Sequence, residues 1–180
     1  MGWYPGDSVN LAIGQGSLQT SPVQIVNLIS AVAADGVGYK PQIVSEIRDT
    51  EGEIVEEFEP EIRIDLKDEI SSNVFDTLKK GMYDVVNKNY GTAFRHFEDF
   101  PVEVAGKTGT AQTGASNHAW FGGFAPYEDP QIAVVVFIEN GDSSSYSVPI
   151  AREIMEYYFG LKNPNNDQKK DYYQNSEDND

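Results

Sequence analysis

Apolar positions change their spacing several times along this chain, and each change marks an element. From 23 to 33, Val23, Ile25, Val26, Leu28, Ile29, Ala31, Val32 and Ala33 cover nearly every side of a helix, a distribution suited to a core. Ser21-Pro22 with Gln24 writes its start: a hydroxyl N-cap, a proline at the first helical position and a glutamine completing a capping box. Asp35-Gly36 stops it, with Gly36 free to take the left-handed C-cap conformation. A second helix runs from a cap at Ser71 or Ser72 to about Asn87. Its Val74, Phe75, Leu78, Met82, Val85 and Val86 keep a 3.6-residue period, so one face is buried and the other wet. A third helix over 149–159 puts Ile150, Ile154, Met155, Tyr158 and Phe159 on one side.

The remaining pattern predicts strands. Residues 3–7 read as a turn entering a short strand over 8–13, which runs into Gly14-Gln15-Gly16. Residues 41–59 read as a hairpin, with strands at 42–47 and 54–58 around a turn at 49–52. Residues 91–100 form a loop rich in aromatics. Three strands follow, at 102–112, 118–125 and 131–139. The unbroken apolar run 132–138 predicts a central strand covered on both faces. From Asn163 onward no apolar period survives, so the expected organisation is one domain portion over 1–162 and a disordered acidic tail over 163–180.

Composition narrows the partners. The net charge of −16 argues against nucleic acid, which needs a basic face to displace counterions. Eleven acids against three bases lie between Glu46 and Glu69; this reads as a solvated hairpin and loop, because no register of calcium ligands appears. There is no cysteine, hence no disulfide or thiolate metal site. His96 and His118 lack partner ligands in any metal spacing, and no metal or cofactor is expected. No apolar run reaches the roughly 18 residues of a membrane span, and residues 1–5 lack the basic and apolar regions of a secretory signal.

The candidate chemistry lies in Ala105-Gly106-Lys107-Thr108-Gly109-Thr110-Ala111-Gln112. A Lys-Thr-Gly triad is a recurrent part of the sites of penicillin-interacting serine enzymes. Alone it is a weak signal. Here it stands in order with Gly6-Asp7, Asn10-Leu11-Ala12-Ile13-Gly14-Gln15-Gly16, Pro22-Val23-Gln24, Gly91-Thr92-Ala93 and His118-Ala119-Trp120-Phe121. In this ordered set, over 3–161 (about nine tenths of the chain), the sequence resembles the class B penicillin-binding proteins, and within them the elongation-type penicillin-binding protein 2.

The resemblance implies an α+β fold, a partial penicillin-recognising serine transpeptidase architecture with an antiparallel sheet packed between helices. It implies a D,D-transpeptidase that cross-links peptidoglycan stem peptides ending in D-Ala-D-Ala through an acyl-enzyme and is acylated by β-lactams. Lys107 would place a cation beside the reacting centre. The Thr108 and Thr110 hydroxyls would bind the terminal carboxylate, the Thr110 N–H would be an oxyanion donor, and Gly109 would keep the strand open to substrate. The family's Ser-x-x-Lys nucleophile is absent, so the chain is expected to be the C-terminal part of such a domain, with its serine upstream of Met1 and no activity alone. Ser8-Val9-Asn10 and Ser71-Ser72-Asn73 mimic the family's Ser-x-Asn motif but fall at the wrong places.

The resemblance further implies partners in the elongation machinery and a parent protein held at the outer face of the cell membrane. The location of this chain alone is not implied. The alternative of a different class is a non-catalytic module that binds cell-wall peptides or a protein, since a carboxylate clamp stands here without a nucleophile. The loop 141–147 has no assignable role, and Gly122-Gly123, where a bulkier residue is common, is expected to loosen its strand.

Overall fold

Seven consecutive apolar residues at 132–138 need cover on both faces of any strand they form, and the fold provides it. The computed structural model describes residues 2–16, 18–114 and 116–162; the expected tail over 163–180 lies outside the described residues. In chain order the elements are α1 (Pro5–Ala12), α2 (Pro22–Ala33), β1 (Val37–Tyr39), β2 (Glu46–Arg48), β3 (Ile54–Glu57), β4 (Ile62–Asp65), α3 (Ser72–Asn87), α4 (Phe94–Phe97), β5 (Ala105–Ala111), β6 (His118–Ala125), β7 (Ile132–Ile138) and α5 (Ser147–Tyr158).

β5, β6 and β7 make an antiparallel sheet in that order, with Gly109 opposite Trp120 and Trp120 opposite Phe137. On one face Ile29 and Ala33 of α2 pack with Ala105, Phe124 and Val135. On the other, Val148, Ala151 and Met155 of α5 join Val86, Phe97, Phe121 and Val136. The α+β expectation of a sheet between helices therefore holds. The apolar strand β7 does have both faces covered, but among the described residues it lies at the edge and β6 is central. Coverage comes from the helices, and a period-free apolar run carries no information about which strands lie beside it.

Local signals decide the helix starts. Ser21 Oγ accepts the Gln24 N–H at 3.4 Å while Gln24 Oε1 accepts the Ser21 N–H at 2.8 Å, the expected capping box. Gly36 follows α2 with φ +94°, where a Cβ would also strike the Phe75 ring. Burial depends on more than apolarity. Val23 and Leu28 of α2 are more than half exposed, because only the face carrying Ile25, Ile29 and Ala33 meets the sheet. Val74 and Leu78 of α3 are likewise exposed, while Phe75 and Val86 are buried.

Several expectations are corrected. Residues 8–13 belong mostly to α1 and its C-cap, not to a strand: Pro5 opens the helix, the Asp7 carboxylate accepts the Tyr4 N–H at 2.8 Å, and no partner strand is present among the described residues. The strand expected at 42–47 shortens to β2, and β1 pairs with β4, both too short for a periodicity to show. The loop 91–100 contains the single turn α4, whose Phe97 stacks on Phe121 at 6.0 Å. α5 starts at the fully buried Ser147, inside the segment read as a polar loop. It buries Val148, Ala151 and Met155, while Ile150, Ile154 and Tyr158 are exposed. Of the face expected from the sequence, Met155 is fully buried and Phe159 packs against the core, while Ile150 and Ile154 give way to the small Ala151, which fits the sheet more closely.

Candidate active site

The Lys-Thr-Gly segment lies at the middle of β5, the other edge of the sheet. α3 holds the start of this strand: Asn87 Nδ2 donates to Val104 O at 2.7 Å, and Tyr83 OH donates to Glu103 Oε1 at 2.7 Å. That hydrogen bond is the main reason the Tyr83 hydroxyl is held above its ordinary pKa, with desolvation second.

Beyond the part covered by α3 the edge is open. Two of its carbonyls take bonds from side chains: Lys107 Nζ donates to Thr108 O at 2.6 Å and Gln15 Nε2 to Thr110 O at 3.3 Å. In a strand the N–H and C=O of one residue point the same way and alternate between neighbours. The Thr108 and Thr110 main-chain groups thus face the open edge, the Thr110 N–H included.

Side chains alternate across the sheet plane. Lys107 and Gly109 share the α2 face with their partners Gly122 and Trp120. Thr108 and Thr110 take the opposite face. Thr110 is exposed, but Thr108 is buried, and its hydroxyl lies 2.7 Å from that of Thr92 in the loop between α3 and α4.

Glycine sets how closely these strands approach. A Cβ at Gly106 would meet the Phe121 ring at 2.5 Å; one at Gly123 would meet Ala105 O at 2.7 Å; one at Gly122 would meet Ile29 at 3.2 Å. Gly122-Gly123 therefore brings α2 and β5 tight against β6 and does not loosen the strand.

A cleft of about 580 Å³ opens between this face and the loop after α1, lined by Lys107, Thr110, Gln15, His118, Trp120 and Phe137 among others. Thr108 and Gly109 line it too, so all four candidate residues meet at one place. Gly14 and the half-buried Gln15 form part of the cleft wall, and Gly14 and Gly16 take φ of +74° and +84°. Opposite the loop, the Trp120 and Phe137 rings meet at a tilt with centroids 4.4 Å apart, and His118 meets Phe137 edge-on at 5.3 Å. The Asn140 N–H donates to His118 Nδ1 at 3.1 Å, which leaves Nε2 to carry the proton of the neutral ring.

The two decoys stay apart from this constellation. Ser8 Oγ accepts the Trp3 indole N–H within the α1 region at 2.9 Å. Ser71 is the N-cap of α3, at the end opposite to the Asn87 that meets Val104. Two residues of the site carried no assigned role in the sequence: Thr92, legible only as the middle of Gly91-Thr92-Ala93, and Gln15, legible only as the residue between two glycines. What has assembled is a cation, the exposed Thr110 hydroxyl and an edge N–H around one strand, with the Thr108 hydroxyl turned inward to Thr92; a cation, a hydroxyl and an N–H together bind anions and polarise a carbonyl. The sequence holds no Ser-x-x-Lys to act as nucleophile there.

Comparison with known proteins agrees with this geometry. The family model for the penicillin-binding protein transpeptidase domain matches residues 2–156. The peptidoglycan D,D-transpeptidase MrdA of Haemophilus influenzae is 32% identical over an alignment covering 97% of this chain and 30% of that protein. Among solved structures, penicillin-binding protein A of M. tuberculosis as an imipenem acyl-enzyme superposes with a TM-score of 0.72 at 26% identity, over 83% of this chain and 33% of that one. PBP2 of Helicobacter pylori in complex with MreC gives 0.72 at 28%, over 90% and 29%. The chain thus spans about 30% of the length of the curated relative with which it is aligned.

Proposed function

The chain belongs to the penicillin-binding protein transpeptidase family, and we propose that it supplies the substrate-clamping half of a peptidoglycan D,D-transpeptidase site. Residues 1–162 are the domain portion in this reading. Lys107 sets a positive charge beside the reacting centre. Thr110 offers its hydroxyl to the terminal carboxylate of a D-Ala-D-Ala stem or a β-lactam, and Thr108, whose own hydroxyl is taken up by Thr92, presents its main-chain groups to the same ligand. Gly109 leaves the strand open, and the Thr110 N–H faces the developing oxyanion. The attacking serine must come from a Ser-x-x-Lys segment that this sequence does not contain, and the acyl group passes from it to the amine of a neighbouring stem.

The observation carrying the reading is the open edge of β5, where the Thr108 and Thr110 main-chain groups face outward beside the Lys107 ammonium. A peptide laid along such an edge gains main-chain hydrogen bonds and meets the cation at its end. Relatives of this chain carry the name peptidoglycan D,D-transpeptidase, and one solved neighbour is an imipenem acyl-enzyme. A place at the outer face of the cell membrane, with partners in the elongation machinery, belongs to the same proposal; one solved neighbour is H. pylori PBP2 in complex with MreC. Among the described residues no helix is long and apolar enough to cross a membrane.

Labelling with a fluorescent penicillin tests this. The chain alone stays unlabelled; joined in frame behind the Ser-x-x-Lys segment of the H. influenzae relative it is acylated at that serine, and Lys107→Ala abolishes labelling. Acylation indifferent to Lys107→Ala would refute the role of the clamp. Single-site labelling of the unjoined chain would refute the need for an outside serine. Saturable reversible binding of a D-Ala-D-Ala peptide, with no labelling in either form, would move the binding-module reading ahead.

A further inference from the structure

β2 and β3 form a two-stranded sheet of their own, and no other element packs extensively against it. A lone hairpin is marginal in water, yet its turn is built with care. Asp49 Oδ1 accepts the N–H groups of Glu51 (2.8 Å) and Glu53 (3.0 Å), Gly52 takes φ +92°, and Arg48 Nη1 donates to Gly52 O at 2.9 Å. The hairpin is therefore held in shape while its surface stays open. Ile47, Ile54 and Val55 are all exposed, Val55 by 66%.

Its charges are equally unspent. Between 46 and 59 lie seven acids and one base. Arg48 pairs with Glu46 at 2.6 Å, and no other acid in this stretch has a cationic partner among the described residues. Glu46 stands directly opposite Glu57, a like-charge pairing that works against the hairpin on its own. Such an edge repels a second copy of itself and accepts a strand of opposite charge.

We propose that the outer edge of β3 is a docking site for an extended, basic segment of a partner protein, added as a third strand. The register defines what that segment must look like. Glu56 and Glu57 point to opposite faces, while the pairing with β2 slips by one residue at Val55, which stands unpaired as a bulge. An antiparallel third strand therefore needs two adjacent basic residues opposite the glutamates, followed by apolar residues beside the exposed Val55 and Ile54. This differs from the alternating pattern of a strand with one apolar face, and from a mere cluster of positive charge.

The test uses the whole 180-residue chain and two synthetic peptides of equal composition, one with a Lys-Lys-Val-Val core and one with Lys-Val-Lys-Val. Binding is followed by NMR at 150 mM salt. The expected result is at least fivefold tighter binding of the first, with amide-exchange protection confined to 53–58. Glu56→Lys with Glu57→Lys weakens that binding at least tenfold while the spectrum of β5 to β7 is unchanged. Equal binding of the two peptides, or shifts spread over the acids at 61–69, overturns the proposal in favour of unspecific charge attraction. Self-association of the unliganded chain through β3 overturns it in favour of a second copy.

Discussion

The Thr108 hydroxyl, on the strand of the Lys-Thr-Gly segment, and the Thr92 hydroxyl, on a loop after α3, lie 2.7 Å apart. One is buried and the other exposed. The bond ties the candidate clamp to an element that no strand pairing would connect to it. Thr92→Val leaves the Thr108 hydroxyl without its partner and should cost about 1 kcal/mol, whereas Thr92→Ser should cost little. Urea unfolding of the two variants checks this, and equal midpoints would show the bond to be idle.

Close approach of β6 to β5 rests on Gly123. Gly123→Ala should destabilise by about 1–3 kcal/mol, the usual cost of overpacking, because the new methyl meets Ala105 O at 2.7 Å. Gly114→Ala, with nothing within 4 Å of its Cβ, is the control and should fall within about 0.5 kcal/mol of the parent.

The buried side of α5 can be tested by substituting two neighbours. Met155 is fully buried and Ile154 is 40% exposed. Met155→Ala should cost about 2–5 kcal/mol and Ile154→Ala clearly less. A reversal of that order in thermal or urea unfolding would restore the face expected from the sequence.

These positions show what the sequence could and could not convey. Ser21 with Gln24 and the left-handed Gly36 were legible because each is decided within four residues of chain. The Lys-Thr-Gly strand was legible as a motif, and its strand neighbours at 118–125 were read to the residue. The face of α5, the exposure of Val23 and Leu28, and the edge position of β7 depend on which element arrives from far along the chain. Apolarity alone does not encode that. The helix α1 was missed for a different reason: Pro5-Gly6-Asp7 reads equally well as a turn, and only the Asp7 cap on Tyr4 decides between them.

Acid titration should report the Arg152 cluster. Arg152 bonds Asp99 at 2.6 Å and Glu156 at 2.7 Å, and also donates to His96 O, so it joins α5 to α4. The bond to Arg152 holds the Asp99 carboxyl below its ordinary value. A lowered carboxylate stabilises the fold above its unfolded pKa, and this is lost as pH falls through the folded value. Asp99→Asn should therefore be less stable than the parent at neutral pH by a small margin, since Asp99 is exposed. The gap should narrow as pH falls below about 4 and vanish below the folded value. Urea titrations stepped from pH 7 down to about pH 2 measure it, and a gap that does not narrow with acid would assign the effect to something other than charge.

The Lys107 ammonium rests on the carbonyl of its own neighbour, Thr108. That carbonyl is also a place where an incoming backbone would bond. A carbonyl oxygen has two lone pairs, so a visitor's N–H either joins the ammonium there or takes its place. In the first case cation and backbone are held by one oxygen; in the second the tally of hydrogen bonds stays level and the ammonium is turned out beside the newcomer.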